Sequence, residues 1–276
     1  MTKDGFAEFL KEQYPQKKSG TANSYINAVA ILDRIFALND VYNLKGMSLC
    51  DLNDLTKLLD IEEFVRQEEY KYRKNNEGIF VLGRSGQKSY PMKGFCSAAM
   101  KSLITYYGNC QHNDAKQIVN ASMTGTQVSK HLVNFFDINS KTGKDVVRET
   151  KTRIGQEFFR KMLLENYQGK CSITGLDVPQ VLRASHIVAW KEDKSNRLNP
   201  ENGILLSATY DAAFDQHLIS FDEQYRMIIS KEIKDYYTSD VAKEYFINKE
   251  GFLMTLPTKF PPNQILLQKH RELLVG

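Results

Sequence analysis

Side chains suited to chemistry lie close together in sequence: His186, Asp211 and Asp215. A histidine near its natural pKa can accept a proton from water at neutral pH. Carboxylates are hard ligands that suit an ion such as Mg2+ better than imidazole does. Asp211 and Asp215 stand four residues apart, a spacing that puts both on one face of a helix. A lone histidine is more often structural than catalytic. His112, His131 and His270 have no such neighbours and read as surface or packing residues, while His217 is a further candidate.

The elements that must hold these groups are short. A strand signal runs from Val181 to Val188, followed by a polar loop from Trp190 to Glu201 that contains Asn199-Pro200. Asn202-Gly-Ile-Leu-Leu206 is a second strand signal. Ser207 then suits the N-cap of a short helix through Asp215. Strand, loop, strand and helix make a ββα unit.

His186, Asn202 and a ligand-type residue on a helix, in that order, resemble the HNH endonuclease family with its ββα-metal fold. The stretches that carry the resemblance are Cys171-Ser-Ile-Thr-Gly, Ala184-Ser-His-Ile, Pro200-Glu-Asn-Gly-Ile-Leu-Leu, Asp211-Ala-Ala-Phe-Asp215 and Leu218-Ile-Ser-Phe-Asp222. Together they look like the branch found in bacterial restriction-type enzymes. Arg153-Ile-Gly-Gln156 and Phe159-Arg160 look like the lead-in seen there. The resemblance covers roughly Arg153 to Val275, under half of the chain, and its weight lies in the order and spacing of stretches that are individually weak.

By this resemblance His186 is the general base, and Asn202 holds the loop and helps to orient it. Asp211, Asp215 and Ser185 are the candidate metal ligands, for Mg2+ or Mn2+. Such chemistry needs an activated water and neutralisation of charge on the phosphate. The sequence departs from the simplest pattern of the family in two places. Ser185 stands where an aspartate often precedes the base, and Asp211 stands where a last histidine is common. Asp215 has a plainer reading as a partner of nearby backbone or of a basic side chain. Trp190 reads as a lid on the unit, and Tyr210 and Cys171 as packing residues.

The remainder of the chain is expected to be helical at first. Ser19-Gly20-Thr21 offers a helix start, and Tyr25, Ala28, Val29, Leu32, Ile35 and Phe36 follow at three- and four-residue spacing. A second helix is expected from Asp51 to about Tyr72, a short strand at Ile79–Leu82, a turn at Gly83–Gly86 and a third helix from Phe95 to Tyr107. The polar stretch from Gly108 to about Thr150 reads as a connector. A further helix is expected from about Thr152 to Tyr167.

Composition excludes several classes. The 276 residues are 42% hydrophobic with 15 Phe and 14 Tyr, enough for a real core and against wholesale disorder. No apolar run approaches the roughly 20 residues that span a bilayer. The N-terminus lacks the apolar stretch of a signal peptide, so a cytoplasmic protein is expected. Cys50, Cys96, Cys110 and Cys171 form no Cys-x-x-Cys pair, which argues against a disulfide framework and a four-cysteine zinc site.

Between Lys141 and Lys170 basic residues outnumber acidic ones eight to four, which accounts for the whole net charge of +4. Such a segment can neutralise phosphates, or it can be a solvated helix face. Lys151, Arg153 and Arg160, with Arg183, are the candidate DNA contacts.

The expected fold class is α+β. Residues 1–110 form a helical DNA-recognition or dimerisation domain, 111–150 a connector and 151–276 an HNH nuclease domain. In the first of these a basic turn (Arg84, Lys88, Lys93) can touch a backbone. The expected function is a metal-dependent DNA endonuclease of restriction or defence type, acting on double-stranded DNA as a homodimer, with no membrane. A DNA-binding or regulatory protein with a degenerate, inactive HNH unit is the alternative. A homing-type or structure-specific nuclease would keep the chemistry and change the substrate.

Overall fold

A computed structural model describes residues 1–15, 20–39, 41–44, 46–81, 88–121, 124–140, 144–236 and 238–274. The chain divides into two compact units. One is Met1–Asp114 with Lys144–Val147, and the other is Ala115–Gly143 with Arg148–Gly276.

The first unit is helical. α1 (Lys3–Gln13) starts where the Thr2 hydroxyl accepts the Gly5 amide, and it buries Phe6, Phe9 and Leu10. α2 (Thr21–Asn39) buries Ala28, Val29, Leu32, Ile35 and Phe36, the spaced positions of its apolar face. Tyr25 is only partly buried against that core. Ser19 lies outside the described residues. α3 (Leu55–Asn75) begins at an Asp54 cap and ends at Asn76 in the left-handed region. Helices α4 (Ser89–Met92) and α5 (Phe95–Asn120) follow. Buried Glu69 accepts the Cys96 amide at 2.9 Å and the Ser97 hydroxyl at 2.6 Å, so it caps the start of α5 from a distance in sequence. Fully buried Leu32, Leu58 and Leu103 each contribute about 1.5–3 kcal/mol to this core.

Two expectations for this region are corrected. Ile79–Val81 form a turn closed by Val81 N to Gly78 O at 3.2 Å, not a strand. Among the described residues no second segment pairs with it, and Phe80 is buried in the helical core with its ring 6.1 Å from that of Tyr72. Leu82 and the expected turn at 83–86, with Arg84, lie outside the described residues. The third helix continues well past Tyr107, because α5 keeps an inward face as far as Ala115.

Much of the stretch read as a connector is also helical. It holds the end of α5, all of α6 (Gly125–Phe135) and the start of α7 (Asp145–Asn166). A capping box between Thr124 and Gln127 opens α6, which buries Val128, Leu132 and Val133.

The second unit then forms β1 (Leu182–His186), β2 (Gly203–Ser207), α8 (Ala208–Asp215), β3 (Ile219–Phe221) and β4 (Met227–Ile229). It closes with α9 (Lys231–Tyr236), α10 (Asp240–Tyr245) and α11 (Gln264–Arg271). β1 pairs antiparallel with β2, and β3 with β4. α8 packs on β1 and β2, and α11 on β3. A helical N-terminal part followed by a ββα unit with small antiparallel sheets is an α+β protein. Among the described residues no helix is long and apolar enough to cross a membrane.

Candidate active site

The register of the first sheet sets His186 opposite Gly203. A Cβ at Gly203 would meet Leu163 Cδ1 at 2.5 Å and Phe159 Cζ at 2.7 Å. Glycine there lets α7 press directly on the sheet. Phe159 therefore reaches His186, and the two rings stack with centroids 4.1 Å apart and planes 15° apart. Trp190 closes on the imidazole edge-on at 5.6 Å, which matches its reading as a lid.

His186 Nε2 lies 3.0 Å from the carbonyl oxygen of Arg197. A carbonyl can only accept, so Nε2 carries the proton and Nδ1 is left with its lone pair. Burial pushes the His186 pKa down, against a smaller upward push from the Arg197 carbonyl. The ring is therefore neutral at neutral pH.

Asn202 is fully buried and spends its side chain on the loop between the strands. Its Oδ1 accepts the Val188 amide at 2.9 Å, and its Nδ2 donates to Val188 O at 3.1 Å and Asn196 O at 3.0 Å. These bonds close the loop that delivers the Arg197 carbonyl. The loop is also held by the α6 region. The Gly125 amide donates to Glu201 Oε1 at 3.0 Å, the Ser129 hydroxyl to Ser195 O at 2.7 Å, and Arg197 Nη1 to Asn139 Oδ1 at 2.9 Å.

A cleft of about 460 Å3 is lined by residues of β1, the turn after it, α8 and α11. Ser185, His186, Asp211, Asp215, His217 and Lys269 all line it. Five of the sequence-derived candidates, Ser185, His186, Asp211, Asp215 and His217, thus share one cleft, while Asn202 supports it from behind. Ser185 Oγ donates to Asp211 Oδ1 at 2.5 Å. Burial, and then the charge of Asp211, push the Asp215 carboxyl up, with His217 opposing. Ser207 stands at the N-cap of α8 without the expected side-chain bond. The Ser207 amide instead points to the Cys171 sulfur at 3.2 Å. Tyr210 is buried and donates to Tyr245 O at 2.5 Å.

Among the described residues no three His, Cys, Asp or Glu side chains converge on one point. What the cleft offers a cation is the carboxylate pair Asp211 and Asp215. That set fits an ion such as Mg2+, which keeps several waters and takes one or two carboxylates plus phosphate oxygens. It suits zinc less well, because zinc sites are built from about three or four His, Cys or carboxylate ligands held close together.

The basic candidates fare differently. Arg160 donates to Leu182 O at 2.8 Å and Pro179 O at 2.7 Å, so its guanidinium ties α7 to the start of β1. Lys151 pairs with Asp137 at 2.7 Å. Arg183 is exposed and donates to the local carbonyls of Gln180 and Leu182. Arg153 is exposed on α7.

Phe159, Arg197, Lys269 and His270 were not legible as site residues. Arg197 acts through its backbone carbonyl, which leaves no mark in side-chain chemistry. Of the two readings of His270, surface or packing, the second holds: it is buried on the cleft wall. The spacing of Phe159 and Leu163 on one helix face was the available signal for α7.

No curated protein matches the chain. Residues 171–222, from Cys171 through the two strands and α8 to Asp222, match the model of a family described as HNH endonuclease. That span contains His186, Asn202, Asp211 and Asp215 in their order on the ββα unit, so the chain carries a nuclease-type domain of the HNH endonuclease family.

Proposed function

We propose that the second unit hydrolyses phosphodiester bonds of double-stranded DNA with His186 as general base, in a restriction or DNA-defence enzyme. One observation carries the reading: the Arg197 carbonyl holds the Nε2 proton and leaves Nδ1 free on a residue that lines the cleft. Nδ1 takes the proton of a water as that water attacks phosphorus, and the bond from phosphorus to the 3′ oxygen breaks, the 3′ oxygen leaving with a proton taken from solvent. Phe159 and Trp190 fix the ring plane, and Asn202 fixes the loop. Asp211 and Asp215 would hold a Mg2+ or Mn2+ ion, with Ser185 orienting Asp211. Such an ion neutralises charge on the phosphate. Arg153 and Arg183 are the exposed candidates for contact with the DNA backbone. One ββα unit cuts one strand, so cutting both strands at a symmetric site calls for two copies of the chain.

A DNA-binding or regulatory protein with an inactive unit is the second reading, and it is favoured by Ser185 and Asp211 standing where the family commonly has an aspartate and a last histidine. Incubation of the purified protein with mixed duplex DNA, including modified-base DNA, in Mg2+ or Mn2+ with an EDTA control separates the two. Metal-dependent fragments are expected. Absence of cleavage on every DNA would sink the nuclease reading.

A further inference from the structure

His217 and His270 are coupled on the cleft wall formed by the turn after α8 and by α11. His217 Nδ1 lies 3.2 Å from His270 Nε2, and the rings are 4.7 Å apart. His270 Nε2 is also 3.1 Å from Phe214 O, and its Nδ1 is 3.0 Å from Ser220 Oγ. His270 is buried and stacks on Phe214 with centroids 3.7 Å apart. Burial, and then His217, push its pKa down to about 4, so it is neutral.

The proton positions follow from these partners. Phe214 O is an acceptor only, so His270 Nε2 bears the hydrogen and shares it with His217 Nδ1. The Ser220 hydroxyl then donates to His270 Nδ1. His217 Nδ1 must accept, which puts the His217 proton on Nε2. The opposite arrangement would set a His270 lone pair against the Phe214 carbonyl. A metal needs a lone pair, and this ring has spent its lone pair inward on His270.

We propose that His217, presenting Nε2–H, and the ammonium of Lys269, which lines the same cleft, form a phosphate-contacting subsite for the nucleic-acid backbone beside the cleavage site. Both groups are donors, and a phosphate oxygen is the acceptor that suits them. His270 is the positioning residue that fixes the His217 tautomer. The subsite rests on the reading of the cleft as a phosphodiester site.

Two measurements test it. Long-range 15N–1H correlation spectra of the free protein at neutral pH report which ring nitrogens carry hydrogen, and Nε2–H is expected for both His217 and His270. Duplex DNA binding is then measured by fluorescence anisotropy in a His186→Ala background with Mg2+. His217 sits in the left-handed region at φ 54, where asparagine is tolerated. His217→Asn should weaken binding roughly fivefold, the worth of one ordinary hydrogen bond. His217→Gln, which keeps a longer N–H donor, should lose less. Exposed Lys269→Gln should lower the slope of log affinity against log salt by about one unit. An Nδ1–H tautomer at His217, or parental affinity in both His217→Asn and Lys269→Gln, overturns the subsite. A wild type that cuts no DNA while these variants bind it more weakly leaves the subsite standing and removes only the nuclease reading.

Discussion

The imidazole of His186 lies flat on the ring of Phe159, with 4.1 Å between centroids and 15° between planes. The contact exists because Gly203, the strand partner of His186, has no side chain to keep Phe159 away. Phe159→Leu should cost about 1–2 kcal/mol of stability, in the range of a modest core truncation. It should lower the cleavage rate more than it lowers DNA affinity, because it frees the ring plane of His186. Urea unfolding and single-turnover cleavage, run on the same variant, check both parts. An unchanged rate would mean that the stack only packs the core.

His186→Ala removes the proposed base and leaves the strand paired. The cleavage rate should fall on the order of 100-fold or more, the usual worth of general base catalysis, while DNA binding survives. Cleavage at the wild-type rate would show that the base lies elsewhere.

The carboxylate pair gives a metal prediction. Asp211→Asn keeps the shape and removes the charge, so the Mg2+ or Mn2+ concentration needed for cleavage should rise far more than DNA binding weakens. Asp215→Asn should do less, since Asp215 is the more exposed of the two. Zn2+ should support cleavage poorly. Cleavage rate against metal concentration for the two variants decides the matter. The assignment fails if Asp215→Asn abolishes cleavage and Asp211→Asn leaves metal dependence alone.

Among the basic residues, Arg153→Gln and Arg183→Gln should weaken binding to all DNA sequences about equally, with the salt slope falling by about one unit per lost phosphate contact. Arg160→Gln should act mainly on stability, because it leaves the carbonyls of Leu182 and Pro179 without their donor. Thermal unfolding and salt-dependent anisotropy on the three variants separate the roles. A salt slope that drops only for Arg160→Gln would reverse them.

His270 makes stability depend on pH. Its folded pKa is pushed down to about 4 from an ordinary value of 6.5, so the unfolded chain binds more protons between those values. Its contribution is complete above pH 6.5 and is lost as pH falls towards 4. The loss is up to roughly 3 kcal/mol. Half-buried His186, also shifted down, adds in the same direction. Urea unfolding at neutral pH and near pH 5 should show the decline, and His270→Gln should show less of it.

The ββα unit could be read from the order of residues because its parts are local. Val181–Val188, Asn202–Leu206 and the helix after Ser207 each show their own pattern over a few residues. The spacing of His186, Asn202 and Asp211 follows from connecting them by one loop. The helical character of α2 and α3 was legible for the same reason, since an apolar face repeats within each helix. Three features needed the tertiary structure. Glu69 caps α5 across the fold, which no local pattern reveals. The polar stretch before position 150 becomes α6, because its amides and hydroxyls find Glu201 and Ser195 as partners. Above all, the tautomers of His186 and His217 depend on the Arg197 and Phe214 carbonyls and on a second histidine far along the chain. Backbone carbonyls are the same in every residue, so a sequence can name the candidate histidines but only packing decides which nitrogen each one offers.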